Sequence, residues 1–537
     1  MRQLALSIRA FLVFTCAALV WTWVLPIWQG PDETAHFTYV QYMMTHTVPP
    51  KQQVVPPGAQ PWFTAGSLPT NISREVTLYN WTLRFPWRHI RITPEQRDAA
   101  LNQVAAASRE NAVPAGSQNY VGIYPPLYYG LVGKVLAAVK VQNVNDQVYL
   151  ARALTACIYG LYGVAADGLL AFLVGRSRSR TAVVFSLPLL FPTLSMLGGV
   201  VNNDVVMDGM CLGLFWVAID ALRRTTWPKR TALAYGLVMG GAIISKPDTY
   251  VLVLLTAIVV LLRLWRTATP RWHVPRFVAI ASVPATVLAF PWLIITFAYY
   301  HSIVPPLTYQ ASGTWPRTFL WFWHNLLLSP SYQMAIMVYQ TVSGIDFPWW
   351  TQPVSSKLFY QVWAAVLVAA ILYGAYLLYR RSKAMWWVSL FWVAGVFMFL
   401  WYTTYSYLLS TGTHFLQGRY FFSMLPVVVS LMALVLQRQR YLVVLLPLYS
   451  ALVYLVVLNA TVFRYYGQNL FDFAVGRVIT FDPLFIAFAG RLALAGLLFI
   501  VLGRVMDWIS GPTPTETGGR ALRRRSADAP GRKHPAR

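Results

Sequence analysis

Long apolar runs separated by short polar stretches organise this chain. After a basic start, MRQLALSIR, the first run covers about 10–28. Twelve more follow, near 124–141, 149–175, 181–200, 204–221, 231–245, 248–263, 276–300, 356–379, 385–408, 418–437, 441–461 and 484–506. A helix rises about 1.5 Å per residue, so about 20 apolar residues cross a ~30 Å hydrocarbon core. An isolated segment in lipid must satisfy its own backbone polar groups, which a helix does. The pattern therefore predicts an all-α polytopic membrane protein with about 13 transmembrane helices, within a range of 12–14.

The polar interruptions set the topology. The basic start and first run read as an uncleaved first helix with a cytoplasmic N-terminus, since no small-residue cleavage site follows. Residues 31–120 are rich in Pro, Gln and Asn and hold six of the 18 acidic residues. They read as a partly folded first extracytoplasmic loop, because a structureless loop of that length is uncommon. Within it, 34–44 predicts an amphipathic helix along the interface and 94–111 a second short helix. Residues 301–355 form a second long outer loop, rich in Trp, Tyr, Phe and Pro and suited to a sugar or lipid groove. Residues 511–537 are basic and Pro/Gly-rich, a disordered cytoplasmic tail beyond a membrane domain at 1–510.

Charge sharpens this reading. Lys and Arg total 43 against 18 for Asp and Glu, a net +25. In a soluble chain that balance suggests nucleic acid. Here 57% of residues are hydrophobic and 11% charged, against about 25% charged in soluble domains, so the excess marks cytoplasmic loops instead. Clusters at 176–180, 223–230, 263–266, 380–383 and 438–440 all fall on one side from residue 176 onward. One conflict stands: two runs, an even number, separate the outer loop from the inner Arg176. Cys16, Cys157 and Cys211 lie in apolar runs and read as core residues, not as a disulfide framework. No P-loop or glycine-rich dinucleotide motif occurs.

Candidate chemistry gathers at the outer ends of the runs. QGPDETAHFTYVQY at 29–42 sets two carboxylates, Asp32 and Glu33, directly after the first helix, with His36 four residues beyond Asp32. Asp32 is also a natural N-cap, and a cap fixes a carboxylate where it can serve as a general base. YPPLYYGL at 124–131 opens an aromatic helix that includes Tyr128. NND at 202–204 brings Asp204 to the membrane edge, where a charge is costly without a partner. Lys246, in SKPDTY, suits a carboxylate or a phosphate. THFLQGRYFFSMLP at 413–426 supplies His414, Tyr420 and Arg419, whose planar fork matches phosphate. Asp32 and Asp204 are also candidate ligands for Mg or Mn, since hard cations take oxygen donors.

These segments and their order resemble the GT-C superfamily of membrane glycosyltransferases, which includes protein O-mannosyltransferases and the lipid A aminoarabinose transferase. The likeness is greatest to a bacterial subset described only as predicted membrane proteins. It carries PDE-x-x-H-F, PPLYY, NND and GRY-x-x-x-x-LP, here Pro31–Phe37, Pro125–Tyr129, Asn202–Asp204 and Gly418–Pro426. The resemblance implies a polyprenyl-phosphate-linked sugar donor and an envelope acceptor, with membrane lipids and no nucleic acid as partners. It implies a bacterial inner-membrane location with the active site facing the periplasm or cell exterior. It also implies Asp32 as base with Glu33 as companion, Arg419 and then Lys246 on the donor phosphate, and inversion at the anomeric carbon. Such an enzyme requires Asp32 within about 10 Å of Arg419. Two other classes compete: a transporter or flippase for a lipid-linked substrate, and a non-catalytic envelope polysaccharide assembly factor.

Overall fold

The computed structural model describes residues 2–27, 30–51, 120–175, 177–303, 357–411, 418–439, 441–466, 468–476 and 484–510. Most of 31–120, nearly all of 301–355, the 94–111 helix, His414 and the 511–537 tail lie outside these residues. The described residues are helical, with no strand.

The helices are α1 (Arg2–Val24), α2 (Glu33–Thr45), α3 (Leu127–Val139), α4 (Val144–Val174), α5 (Arg178–Leu190), α6 (Pro192–Gly198), α7 (Asp204–Arg223) and α8 (Lys229–Ile243). Then come α9 (Tyr250–Thr267), α10 (His273–Tyr300), α11 (Lys357–Arg381), α12 (Lys383–Thr411), α13 (Leu425–Arg438), α14 (Leu442–Tyr466), α15 (Leu470–Ala474) and α16 (Leu484–Ser510). Among the described residues, nine helices are long and apolar enough to cross a membrane, or ten if the bent pair α5–α6 is one span. The bend in that pair is 76°.

The expected span at 124–141 is not one. Helix α3 has 13 residues, about 20 Å of helix, and packs against α2 rather than crossing. With α3 set aside, one crossing, α4, separates the segment after α1 from the basic residues at 178–180; α8, with 15 residues on the expected span 231–245, is also not among the nine. Helix α2 also differs from expectation. It is buried on most of its circumference, not laid along an interface, and α3 Gly133 sits against its Val40 and Met43.

The two ends of the bundle are chemically distinct. At one end, Arg223, Arg381 and Gln437 donate to the carbonyls of Phe172, Leu173 and Val174, the last residues of α4. Each satisfies a carbonyl left over at a helix terminus. Arg180 forms a buried pair with Asp167 nearby in sequence, and Ser7 of α1 donates to the same carboxylate. This is the basic end. The connections after α1, before α4, before α7 and after α8 meet at the other end. The three cysteines are unpaired; Cys211 is buried and Cys16 half-buried, but Cys157 is exposed on the outer wall of α4, a correction to its core reading.

Helix α1 forms the axis of the fold and packs on α4, α5, α6 and α16. Gly199, just after α6, approaches it so closely that an added Cβ would overlap the Ala18 carbonyl and the Trp21 side chain. Thr22 of α1 donates to the Gly199 carbonyl at 2.9 Å, which holds this approach in place. Gly199→Val is therefore expected to cost about 2–4 kcal/mol through overpacking. The check is the thermal midpoint of purified protein in detergent; a midpoint equal to wild type would refute this close-packing account.

Candidate functional site

The site is built outward from one buried pair. Arg152, on the second turn beyond the start of α4, is fully buried. Its Nε and Nη2 donate to Glu33 Oε1 and Oε2, each at 2.7 Å, in a two-pronged contact. The same guanidinium donates to the carbonyls of Thr22, Leu25 and Pro26, where the chain leaves α1. Glu33 in turn accepts from the backbone N–H of Val201 at 3.0 Å and of Gly30 at 3.3 Å. One ion pair thus fastens three separate segments: the end of α1, the PDE turn and the NND turn. A charge pair this deep is tolerated because its hydrogen-bonding capacity is used.

Asp32 stands beside this anchor with the opposite exposure. Its side chain is 33% exposed, while that of Glu33 is 0%. Asp32 occupies the left-handed region, φ 56°, and its side chain makes no cap hydrogen bond to α2. Aspartate tolerates that conformation better than most residues, but it still costs energy. The locked Glu33 holds the turn there, so the Asp32 carboxylate is turned outward instead of capping. The N-cap reading of Asp32 is thereby corrected.

Three other segments converge on it. Arg419, in the 3₁₀ turn Gly418–Met424, donates Nη2 to Asp32 Oδ2 at 2.6 Å. Its Nε lies 3.7 Å from Asp204 Oδ2. Asp204 accepts from Lys246 Nζ at 2.7 Å, and Lys246 lies 3.4 Å from Asp248. The four charges form a chain, Asp32–Arg419–Asp204–Lys246, drawn from positions up to 387 residues apart. Asn202 sets two members of it: its Oδ1 accepts from the Asp204 N–H at 2.7 Å, and its amide donates to the Pro31 carbonyl at 3.3 Å. Burial opposes the charge of Lys246, yet Asp204 and then Asp248 hold its ammonium well above the ordinary lysine range.

Aromatic rings wall the cluster. Lys246 Nζ lies 5.1 Å from the ring centre of Tyr124 and 5.6 Å from that of Tyr420, and Arg419 lies over Tyr420 at 5.4 Å. Burial pushes the Tyr124 phenol up to about 12, partly offset by Lys246, so it stays protonated. His36 is buried against Tyr129, whose hydroxyl is 2.8 Å from its Nδ1. Burial pulls its pKa down to about 4, against the raising effect of Asp32 and Asp204. It is therefore a neutral neighbour of the cluster at pH 7. Tyr128 points elsewhere, into the core, with its hydroxyl 2.7 Å from Thr155.

The residues present do not suit a divalent cation. Asp32 and Asp204, the expected ligands, already face the guanidinium and ammonium of Arg419 and Lys246. Among the described residues, no three His, Cys, Asp or Glu side chains converge. Arg419 and Lys246 stand among three carboxylates, Asp32, Asp204 and Asp248, so an anion would be held by the directed N–H groups of the guanidinium and ammonium and not by a net positive charge.

Arg152 and Tyr124 carry roles that the motifs did not assign. Arg152 had a visible signal: it is a lone basic residue inside an apolar run, outside every loop cluster. Tyr124 had none beyond its place at the start of an aromatic turn.

A family model described as a predicted membrane protein, DUF2142, matches residues 15–428. Among solved structures, ArnT from Cupriavidus metallidurans bound to undecaprenyl phosphate is similar at 15% identity, with 87% of this chain and 81% of that chain covered and a TM-score of 0.39. No curated protein matches the chain.

Proposed function

The chain belongs to the predicted membrane protein family DUF2142, and from its charge cluster we propose that it transfers a sugar from a polyprenyl-phosphate donor to an envelope acceptor. The observation that carries this reading is the Asp32–Arg419 pair at 2.6 Å, at one end of a multi-pass helical bundle. A donor of this kind needs one cationic fork for its phosphate and one carboxylate for the acceptor proton. Here the two touch. The positive-inside pattern supports the reading that this end faces the periplasm or the cell exterior, on a bacterial inner membrane.

In the proposed reaction, the donor phosphate takes the guanidinium of Arg419, with Lys246 as a second point charge. Arg419 is then shared away from Asp32, whose carboxylate becomes the better base. Asp32 accepts the acceptor hydroxyl proton as that oxygen bonds to the sugar anomeric carbon. The bond from that carbon to the phosphate oxygen breaks, and its electron pair leaves on polyprenyl phosphate. Arg419 and Lys246 stabilise the charge gathering there. A single in-line displacement inverts the anomeric centre. Glu33 has its oxygens engaged by Arg152 and backbone N–H groups, so its part is to position Asp32. Tyr420 and Tyr124 flank the phosphate site, with His36 neutral behind them.

A transporter would place its ionisable groups near mid-membrane, between repeats. The charges of the candidate site, Asp32, Arg419, Asp204 and Lys246, gather at one end instead.

The test uses full-length protein in lipid nanodiscs, a panel of polyprenyl-phosphate sugars and envelope extract as acceptor, with and without a chelator. Transfer is expected from one class of donor, undiminished by chelation. Arg419→Gln should raise the donor KM about 10–100-fold, the loss of one charge-assisted contact. Folded protein that moves label across vesicles but forms no product would establish the transport reading instead.

A further inference from the structure

A second set of arginines lies at the other end of the bundle and plays no part in that reaction. Helix α7 runs from Asp204 in the site to Arg223, 20 residues and about 30 Å away. There Arg223 and Arg381 border a pocket where α4, α7, α11, α12 and α13 meet. We propose that this pocket binds the phosphate of an anionic phospholipid, in the leaflet opposite the proposed active site.

Three observations point there. First, the two guanidiniums are fixed in place without being neutralised. Arg223 Nη1 donates to the Phe172 carbonyl at 2.7 Å, its guanidinium lies 4.5 Å from the centre of the Phe172 ring, and Arg381 Nη2 donates to the Leu173 carbonyl at 3.2 Å. Their other contacts are weak ones, to Met385 sulfur at 3.9 Å and to Gln437 Oε1 at 3.5 Å. Among the described residues neither forms an ion pair with a carboxylate. The nearby acids are committed elsewhere: Asp167 to Arg180, and Asp220 to Arg224 and the Tyr235 hydroxyl.

Second, the two like charges border one opening. Arg223 comes to it from α7 and Arg381 from α11. Capping the end of α4 accounts for one N–H from each residue. It does not account for two cations on one pocket, which a dianionic or monoanionic phosphate between them would relieve.

Third, the floor is apolar and buried. Phe215, Leu378, Met385 and Leu434 line it. Phe215 lies eight residues before Arg223 on α7, about 12 Å deeper along the bundle. A cationic rim at the membrane surface over a closed apolar floor matches a phosphate headgroup whose acyl chains stay in the surrounding lipid, and basic pockets between helices are favoured sites for anionic headgroups. Free phosphate would use the rim only.

The test is thermal unfolding of the full-length chain in detergent with added phosphatidylglycerol, phosphatidylcholine or inorganic phosphate at matched concentration. Phosphatidylglycerol is expected to raise the midpoint by roughly 2–4 °C, and the other two to leave it unchanged. Arg223→Gln/Arg381→Gln should lose that rise. Arg380→Gln/Lys383→Gln, which removes two charges at the same end outside the pocket, should keep it. An equal rise in the pocket variant, or with phosphatidylcholine, overturns the proposal. So does a full rise with inorganic phosphate, which would mark a free-anion site. If the double variant does not fold, Arg381→Gln alone must lose most of the rise, and retention of it counts against the pocket. None of these outcomes depends on sugar transfer.

Discussion

Asp32→Asn is expected to lower turnover by about 10²–10⁴-fold while donor KM stays within about threefold of wild type. The substitution is nearly isosteric. Its side-chain carbonyl still accepts from Arg419, so the contact seen at 2.6 Å has a replacement. Asparagine also tolerates the left-handed backbone that this position adopts. What disappears is the ability to take a proton. A role in holding Arg419 alone would show as raised KM with turnover kept. A role as base shows as lost turnover with binding kept. Asp32→Asn protein that is monodisperse and turns over at the wild-type rate would move the base to another residue, Asp204 being the next carboxylate on the chain of charges. The residual rate of the variant should also rise with a more acidic acceptor, because such a nucleophile needs less help from a base.

The sequence carried the helical class and the convergence of the site, but for different reasons. Apolar runs are a direct physical requirement of lipid, so most spans could be read by length. The run at 124–141 could not, because an apolar helix buried in protein and one crossing lipid have the same composition; only the packing of α3 on α2 separates them. The parity of the basic clusters had flagged that region. Asp32, Asp204, Lys246 and Arg419 were legible as charges at one end of apolar runs, and they touch. Their order in the chain of contacts was not legible, since ion-pair partners hundreds of residues apart leave no local pattern. The difference between Asp32 and its neighbour was equally hidden. Both are carboxylates in one motif, and the decisive fact is that Arg152 lies under Glu33 and not under Asp32. Tyr128 shows the reverse error: its motif is conspicuous, but its hydroxyl serves Thr155 in the core.

The largest loss of stability is expected at that hidden partner. Arg152→Met should destabilise the fold by about 3–5 kcal/mol, because it leaves Glu33 charged and buried without its counter-ion. It also strips a donor from the carbonyls of Thr22, Leu25 and Pro26. For that reason Arg152→Met/Glu33→Leu is not expected to restore stability, although exchanging both members of a simple buried pair often does. Those carbonyls, and the N–H groups of Val201 and Gly30, would still lack their partners. Arg152→Lys separates anchoring from charge. It keeps the positive charge but cannot reach both carboxylate oxygens and the carbonyls with one planar fork. Enough of this variant should fold to be assayed, and its turnover should fall with little change in donor KM, since Asp32 loses its imposed backbone while Arg419 and Lys246 stay. Thermal midpoints and steady-state rates on the three variants decide the matter. A wild-type midpoint for Arg152→Met would mean that the pair does not hold the turn, and full turnover in Arg152→Lys would mean that the outward pose of Asp32 does not depend on it.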